Sequence, residues 1–296
     1  MSQILTTAFA PAKVNLYLHV APPGMDGMHP LSSLMVFADV GDRIWLEPAP
    51  QLSLSVTGPF GASAGEGDDN LVLRAARALA GETGQAAAFH LILDKQLPVA
   101  AGLGGGSSDA GAALRLLGAA MGLPADDEAL ARVAMRLGAD GAACLGGTPV
   151  LAEGHGERLN PAPKLPELWA VLVNPGVPSS TPAVYREYDR LGARGRADRP
   201  SLPEAFESVE ELAAVLARTR NDLEAPAIAL NPVIGAVIEL LRDQPEALLA
   251  RVSGSGATCF CLCTGDIEAE GLAERLERLE PRWWVRRCRL GGPWKT

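Results

Sequence analysis

The most informative stretch of the chain is Leu97-Pro-Val-Ala-Ala-Gly102-Leu-Gly-Gly-Gly-Ser-Ser-Asp109. It follows a short apolar segment typical of a strand, residues 89–93, and continues into a helical pattern that reaches residue 117. Four of the five residues from 102 to 106 are glycine, which lets backbone N–H groups approach an anion closely. A helix N-terminus adds unpaired N–H groups and a positive dipole end. The pattern predicts a phosphate-binding loop, since a plain turn capped by Ser and Asp does not need four glycines.

Two common nucleotide-binding patterns do not fit this loop. A Walker loop would continue with Gly-Lys-Ser or Gly-Lys-Thr, and no such sequence follows here. A dinucleotide fingerprint would place its third glycine at the position of Ser107. A dinucleotide-dependent oxidoreductase therefore remains only a distant alternative.

The rest of the chain mixes strand and helix patterns. Residues 9–20 alternate, with Val14, Leu16 and Leu18 on one face and Lys13 and Asn15 on the other, which predicts a strand with one apolar and one polar face. Further strands are predicted at 31–47, 52–56, 89–93 and 169–173, and helices at 70–79, 126–137 and 231–241. Three prolines between 161 and 166 indicate a boundary, and residues 191–203 indicate a loop. The fold class predicted from this pattern is α+β with two layered domains.

Composition excludes several classes of partner. The 296 residues include 35 acidic and 26 basic side chains, a formal net charge of −9. Extended polyanions such as nucleic acid, or anionic membranes, need a positive field, so neither is an expected partner. The sequence contains no run of 18 or more apolar residues, so no membrane-spanning helix is predicted. Five cysteines without a Cys-x-x-Cys pair predict reduced thiols in a cytoplasmic protein.

Two further segments accompany the loop in a recognisable order. Residues 10–16 read Ala-Pro-Ala-Lys-Val-Asn-Leu, and residues 252–258 read Val-Ser-Gly-Ser-Gly-Ala-Thr. With the central loop, these segments resemble the three motifs of the GHMP kinase superfamily. Shorter matches at 26–29, 137–140 and 221–224 keep the order and spacing of that superfamily. The resemblance extends over nearly the whole chain.

The resemblance implies both a fold and an activity. The expected fold has an N-terminal ribosomal-protein-S5-like ATP-binding domain, residues 1–160, and a C-terminal ferredoxin-like substrate-side domain, residues 161–296. The expected reaction is transfer of phosphate from ATP, with Mg²⁺, to an alcohol. The triple glycine followed by Ser-Ser-Asp-Ala is most similar to the branch that phosphorylates the 2-hydroxyl of CDP-methylerythritol in non-mevalonate isoprenoid synthesis. The alternatives are a kinase of the homoserine or mevalonate type and a catalytically silent nucleotide sensor. A monomer or weak homodimer is expected.

The resemblance assigns catalysis to Asp140, as the base, and to Lys13, as its cationic neighbour. The residues themselves support this. Asp140 follows a helix-stopping Gly138 in a segment of small residues, and Lys13 lies within a predicted strand. Only four of the 26 basic residues are lysine, so a lysine at a motif position is informative. A compact ammonium is not interchangeable with a planar guanidinium at a tight phosphate or carboxylate contact.

ATP is expected to be held mainly by backbone groups of residues 103–108, with Ser107 or Ser108 reaching Mg²⁺. The full set of expected ATP contacts is Asn70, Lys95, Pro98, Ala101, Gly102, Leu103, Gly104, Gly105, Gly106, Ser107 and Ser108.

Substrate contacts are expected at Asn15, Met28, His29, Asp140, Thr181, Tyr185, Gly254, Ser255 and Gly256. The chain departs from the family pattern at Met28, where the family usually has a tyrosine that stacks on cytosine. Methionine recovers only part of that stacking, which predicts weaker or reorganised base binding. A second departure is Gly141-Ala142, in place of Val-Pro, which is expected to soften the loop that carries Asp140.

Overall fold

The computed structural model describes residues 7–192 and 195–294. Its strands are β1 (Thr7–Val20), β2 (Leu31–Pro48), β3 (Ser53–Thr57), β4 (Phe89–Asp94), β5 (Val150–Gly154), β6 (Arg158–Pro161), β7 (Leu168–Asn174), β8 (Ala247–Val252), β9 (Cys259–Cys263) and β10 (Trp284–Gly291). Its helices are α1 (Gly61–Ala64), α2 (Leu71–Thr83), α3 (Gly105–Ala120), α4 (Glu128–Leu137), α5 (Gly141–Gly146), α6 (Thr181–Arg190), α7 (Val209–Leu216), α8 (Glu224–Leu230), α9 (Pro232–Arg242) and α10 (Asp266–Leu279). Across these residues, no helix is long and apolar enough to cross a membrane.

The strands form one mixed sheet centred on β2. Its path is β3-β4-β2-β10-β7-β9-β8, with β1 and β5 also paired to β2, and β6 to β5. The 18 residues of β2 allow different partners along its length, since β5 pairs with its first residues, β10 with its middle and β4 with its end. The α+β class is confirmed. Because β2 and β10 pair across the expected domain boundary, the sheet is continuous there, and the division after residue 160 stays a prediction.

Three apolar clusters cover the sheet. In the first, Ile44 and Leu91 of the sheet pack against Leu79, Leu117 and Val133 of α2, α3 and α4. The C-terminal strands are covered on both faces, by α9 and α10 on one side and by α7 on the other. The amphipathic helices therefore bury their apolar faces while their charged faces remain in solvent.

The predicted polar face of β1 is not exposed to solvent. Lys13 and Asn15 are as buried as the apolar residues that alternate with them. One edge of β1 pairs with β2, while its other edge is covered by loops from distant parts of the chain. The N–H of Lys13 donates to the carbonyl of Leu103 at 2.8 Å, and the N–H of Leu18 donates to that of Arg220 at 2.9 Å. The alternation was correctly predicted, but β1 is a central element of the molecule.

Most predicted elements lie within a few residues of the observed ones. The cap of α4 is Asp127, whose side chain accepts from Ala129 N, so the helix begins at Glu128, two residues after the predicted start at residue 126. Helix α3 begins at Gly105, inside the glycine loop, which is earlier than its apolar pattern shows. The described part of 191–203 has no helix or strand, and residues 193–194 of that predicted loop lie outside the described residues.

Candidate active site

A cleft of about 670 Å³ lies between the glycine loop, β1 and the segments around residues 28, 140 and 254. This volume is in the range of sites that bind drug-sized ligands. At one end it is lined by the loop and by Asn70 before α2, and at the other by Met28, His29 and Tyr185. We call these the loop end and the acceptor end. Asp140 lies in the lining together with Lys13.

The loop end is shaped by backbone conformations that favour glycine. Gly102 and Gly104 have φ values of +75° and +61°, in the left-handed region. Gly104 precedes α3 and offers no side-chain cap, so the first-turn N–H groups of α3 are available to an anion. A Cβ on Gly102 would overlap the carbonyl oxygen of Ser253. The hydroxyl of Ser253 in turn donates to the carbonyl of Gly102 at 3.0 Å, so the central loop packs directly on the C-terminal glycine motif.

Lys13 and Asp140 form an ion pair beneath the loop. The Lys13 ammonium lies 3.2 Å from Oδ2 of Asp140 and donates to Oδ1 of Asn15 at 2.7 Å. The lysine side chain is only 5% exposed, whereas that of Asp140 is 28% exposed and accessible from the cleft. A Cβ placed on Gly104 would lie 3.1 Å from Cε of Lys13 and 3.5 Å from Oδ2 of Asp140. The pair is therefore next to the turn from which α3 begins.

Asp140 is positioned by a short helix that sequence reasoning did not predict. It is the residue before α5, whose first residue is Gly141. A Cβ on Gly141 would overlap the carbonyl oxygen of Ala134 in α4. Gly141 therefore permits the close approach that packs α5 against α4, and its expected softening of the loop stays a prediction.

Arg115 connects the elements that carry the loop, the lysine and the aspartate. From α3 it donates to the carbonyls of Leu145 and Cys144, at the end of α5, at 2.8 and 3.3 Å. It also donates to the carbonyl of Phe9 in β1 at 2.7 Å. Burial lowers the pKa of this guanidinium. This partly buried cation, with carbonyl partners on two neighbouring elements, holds α3, α5 and β1 together.

Lys95 lies under the loop, between two carboxylates. Its ammonium is 2.5 Å from Asp42 and 2.6 Å from Asp109, and all three side chains are almost fully buried. Burial raises the pKa of Asp109 to about 8, with the charge of Lys95 opposing the rise. Oδ1 of Asp42 also accepts from the backbone N–H groups of Gln96 and Leu97. Although Lys95 borders the cleft, its ammonium is paired with both carboxylates of this triad. It is therefore not free to contact ATP in the expected way.

The two serines that follow the glycines face in different directions. Ser107 lines the cleft. Ser108 is fully buried, and its hydroxyl donates to the carbonyl of Pro11 at 2.6 Å. Ser108 does not line the cleft and its hydroxyl fixes α3 to β1, so Ser107 is the better placed of the two expected metal ligands. Asn70 also lines the cleft, but its side chain caps α2 by accepting from Val72 N at 2.9 Å.

The acceptor end is built from side chains. Rings of His29 and Tyr185 lie 4.8 Å apart between centroids, and Nε2 of His29 is 2.9 Å from Oδ1 of Asp189. Burial, followed by the negative charge of Asp140, raises the pKa of Tyr185 to about 12. Met28 stands at the rim with 51% of its surface exposed. An aromatic wall and a flexible thioether therefore border the same space.

The C-terminal glycine motif contributes unevenly to the cleft. Gly254 and Ser255 line it, and the hydroxyls of Ser255 and Thr181 are 2.8 Å apart. Gly256 does not line it, because the position of its missing Cβ faces Val252 and Ile234 in the core.

Most of the predicted site residues come together in the cleft. Those that line it are Lys13, Asn15, Met28, His29, Asn70, Lys95, Pro98, Ala101, Gly102, Gly104, Gly105, Gly106, Ser107, Asp140, Thr181, Tyr185, Gly254 and Ser255. Those that do not are Leu103, Ser108 and Gly256. Sequence reasoning missed His155 and Asp109, which also line it. His155 lies in a Gly-His-Gly turn with no catalytic pattern, although Asp109 follows the two serines directly and is within the quoted motif.

A glycine loop at a helix N-terminus, facing an ion-paired carboxylate, defines the site of a phosphoryl-transfer enzyme. Comparison with known families agrees with this class. Residues 70–150 match the N-terminal domain of GHMP kinases, and residues 201–281 match the C-terminal domain. These two matches cover more than half of the chain.

Comparison with individual proteins shows which GHMP kinases the chain is similar to. The chain is 62% identical to the 4-diphosphocytidyl-2-C-methyl-D-erythritol kinase of Caulobacter sp. (strain K31), over 97% of this chain and 98% of that protein. It is 51% identical to the enzyme of the same name from Hyphomonas neptunium, with 96% of each covered. A crystal structure of 4-(cytidine 5'-diphospho)-2C-methyl-D-erythritol kinase is 36% identical, with a TM-score of 0.75 over 97% of this chain and 100% of that one. The chain therefore belongs to the GHMP kinases and, within them, to the family of 4-diphosphocytidyl-2-C-methyl-D-erythritol kinases. The resemblance in the motifs and the expected fold are confirmed.

Proposed function

We propose that this enzyme transfers the γ-phosphate of ATP to the 2-hydroxyl of 4-(cytidine 5'-diphospho)-2-C-methyl-D-erythritol, giving the 2-phosphate and ADP in the non-mevalonate route to isopentenyl diphosphate. The observation that carries the proposal is the Lys13–Asp140 pair, 3.2 Å apart, in a cleft with a glycine loop at one end and an aromatic wall at the other. The high identity to relatives of that name supports the choice of substrate.

The geometry supports a separate role for each group of residues at the site. Backbone N–H groups of the loop and the first turn of α3 would hold the ATP phosphates. Asp140, accessible from the cleft, would orient the acceptor hydroxyl and accept its proton as the phosphoryl group moves. Lys13 would keep the carboxylate ionised and stabilise charge on the transferring group, since its ammonium is desolvated and therefore interacts strongly. Asn15 would hold that ammonium in place.

Mg²⁺ would enter with the nucleotide and neutralise charge on its phosphates. The described residues contain no cluster of three or more His, Cys, Asp or Glu suited to a metal. This fits Mg²⁺, which keeps several waters and is often bound by substrate phosphates with one or two protein oxygens. The hydroxyl of Ser107 lines the cleft at the start of α3, so we propose it as the protein ligand.

The alternatives have weaker support. Structures of a homoserine kinase from Cytophaga hutchinsonii and of the L. major mevalonate kinase are 18% and 14% identical to this chain, so their likeness shows the fold alone. A silent sensor would not need the intact Lys13–Asp140 pair. Buried free thiols at all five cysteines also fit a cytoplasmic enzyme. Whether the enzyme is a monomer or a weak homodimer stays a prediction.

The test is ADP release with CDP-methylerythritol, homoserine and mevalonate offered in parallel. We expect turnover with the first substrate only. Turnover with one of the others, or with none, would contradict the proposal.

The role of Asp140 is tested by the Asp140→Asn variant. Loss of a general base typically lowers turnover by about 10²–10⁴-fold, and we expect a loss well above ten-fold with ATP affinity largely kept. Asp243→Asn, at an exposed position after α9, is the matched control and should keep wild-type turnover. An Asp140→Asn enzyme with more than about a tenth of wild-type turnover would exclude Asp140 as the base.

A further inference from the structure

The substrate of the proposed reaction has three parts, and the site so far accounts for two of them. The cytosine would lie between Met28, His29 and Tyr185, and the polyol would reach Asp140. The diphosphate joins these parts, so it must cross the gap between the residue 28 segment and the residue 140 segment. Two adjacent phosphates in a partly enclosed cleft need a positive or N–H donor partner. The following inference rests on the proposed function.

His155 lies in this gap. It is in the turn between β5 and β6 and lines the cleft. Its Nε2 is 3.7 Å from Oδ2 of Asp26, in the same turn as Met28. On its other side, Gly156 packs so closely on Ala139 that an added Cβ would lie 2.9 Å from the Ala139 carbonyl oxygen. Ala139 directly precedes Asp140, so His155 has the base-recognition turn on one side and the catalytic segment on the other.

The distribution of basic groups along the cleft also points to His155. Although the chain has many arginines, none lines the cleft within residues 7–192 and 195–294. The basic groups that do so are Lys13, Lys95, His29 and His155. The first three contact a carboxylate within 3.2 Å. For the His155 imidazole, the nearest carboxylate oxygen among the described residues is that of Asp26, 3.7 Å from Nε2 and beyond hydrogen-bonding distance, and the side chain is 36% exposed.

The turn also holds His155 in a defined place. Its backbone N–H donates to Oε2 of Glu157 at 2.6 Å. The flanking Gly154 and Gly156 have φ values of +72° and +108°, which favour glycine. The backbone of the turn is therefore held by its neighbours, so that binding need order only the imidazole side chain.

We propose that His155 binds the diphosphate of the cytidine diphosphate substrate, exchanging its weak contact with Asp26 for a phosphate oxygen. An imidazole can donate an N–H bond in either protonation state, and it adds a positive charge when protonated. Asp26 would then keep its second role, in which Oδ1 accepts from the N–H of Met28 at 2.9 Å and shapes the base-recognition turn. His155 is thus a substrate-binding residue that acts on affinity and not on proton transfer.

The experiment compares His155→Ala and His155→Arg with wild type, using CDP-methylerythritol as substrate and CDP and cytidine as competing ligands. For His155→Ala we expect the KM for CDP-methylerythritol and the inhibition constant of CDP to rise by about ten-fold, the scale of a lost charge-assisted hydrogen bond. The inhibition constant of cytidine, the KM for ATP and kcat should change by less than about two-fold. His155→Arg should bind CDP at least as tightly as wild type.

His90→Ala is the matched control, because His90 lies in β4, contacts Ser53 and does not line the cleft. It should leave all of these constants unchanged. An unchanged CDP constant in His155→Ala, or an equal loss for cytidine and CDP, would overturn the inference and leave the proposed function standing. If wild type failed to phosphorylate CDP-methylerythritol, the proposed function would fall. In that case the binding of CDP relative to cytidine, measured by calorimetry on the same variants, would still decide the role of His155.

Discussion

The two ends of the cleft are built by different means. At the loop end the ligand-facing groups are backbone N–H groups, and the nearby charged side chains, Lys95 and Asp109, are buried and paired beneath the loop. At the acceptor end the lining consists of side chains, several of them partly exposed, such as Met28 and His155. A surface made of backbone groups requires neighbouring segments and the ligand to approach the backbone closely, so one added methyl group disrupts it. A surface made of side chains can change by substitution, and Met28, the expected departure from the family's tyrosine, lies at this end.

The largest effect is expected for the buried ion-paired triad beneath the loop. Lys95→Met would leave Asp42 and Asp109 buried without their cation, and breaking a buried pair in this way typically costs about 3–5 kcal/mol. We expect the free energy of unfolding, measured with urea, to fall by about 3 kcal/mol or more. Lys164→Met, at an exposed lysine, should change it by less than about 0.5 kcal/mol. Equal effects at the two lysines would mean that the triad does not support the loop.

The next test adds one methyl group to the loop. Gly102→Ala combines a positive φ with an overlap on the Ser253 carbonyl, so we expect a loss of about 2 kcal/mol in stability and a higher KM for ATP. Gly81→Ala in α2 meets open space and should instead stabilise the protein by about 0.5–1 kcal/mol. The pair is measured by urea unfolding and ATP titration. A Gly102→Ala enzyme with wild-type stability and KM would contradict a loop end that depends on close packing.

The smallest effect is expected at the acceptor end. Met28→Tyr would add a stacking surface for cytosine, and base–aromatic stacking is worth about 1–3 kcal/mol, of which methionine already recovers part. We expect the KM for CDP-methylerythritol to fall by about three- to ten-fold, with the KM for ATP unchanged. Met135→Tyr, at an exposed position in α4, is the control and should change neither constant. An unchanged or higher substrate KM in Met28→Tyr would show that Met28 does not border the base.

Much of the fold could be predicted because local patterns survive in the folded state. The alternation in β1 and the predicted strand and helices at β2, α4 and α9 gave elements close to the observed ones. The phosphate loop was recognisable because its glycines serve a local need, the left-handed φ at Gly102 and Gly104. Short helices such as α5 were missed, because six residues rich in glycine and alanine carry no amphipathic period.

Side-chain partners were harder to predict than elements. Lys95 and Ser108 both belong to recognisable motif segments, but their polar atoms are used by Asp109 and by the carbonyl of Pro11. Those contacts join residues 14 and 97 positions apart, so no local pattern contains them. His155 was missed for the same reason, since only the packing of Gly156 on Ala139 brings it near Asp140.

By itself, the sequence predicted the phosphate loop and the α+β elements, because each has a local signature in residue type and spacing, and its resemblance to the GHMP kinases assigned the candidate pair Lys13 and Asp140. Tertiary structure alone decided which of the motif's polar groups face a ligand. It placed the loop along the free edge of β1, buried both faces of that strand, committed Lys95 to a buried triad and left the His155 imidazole available in the cleft. The physical reason is that a polar atom is available for binding only when no protein partner satisfies it, and those partners come from distant parts of the chain.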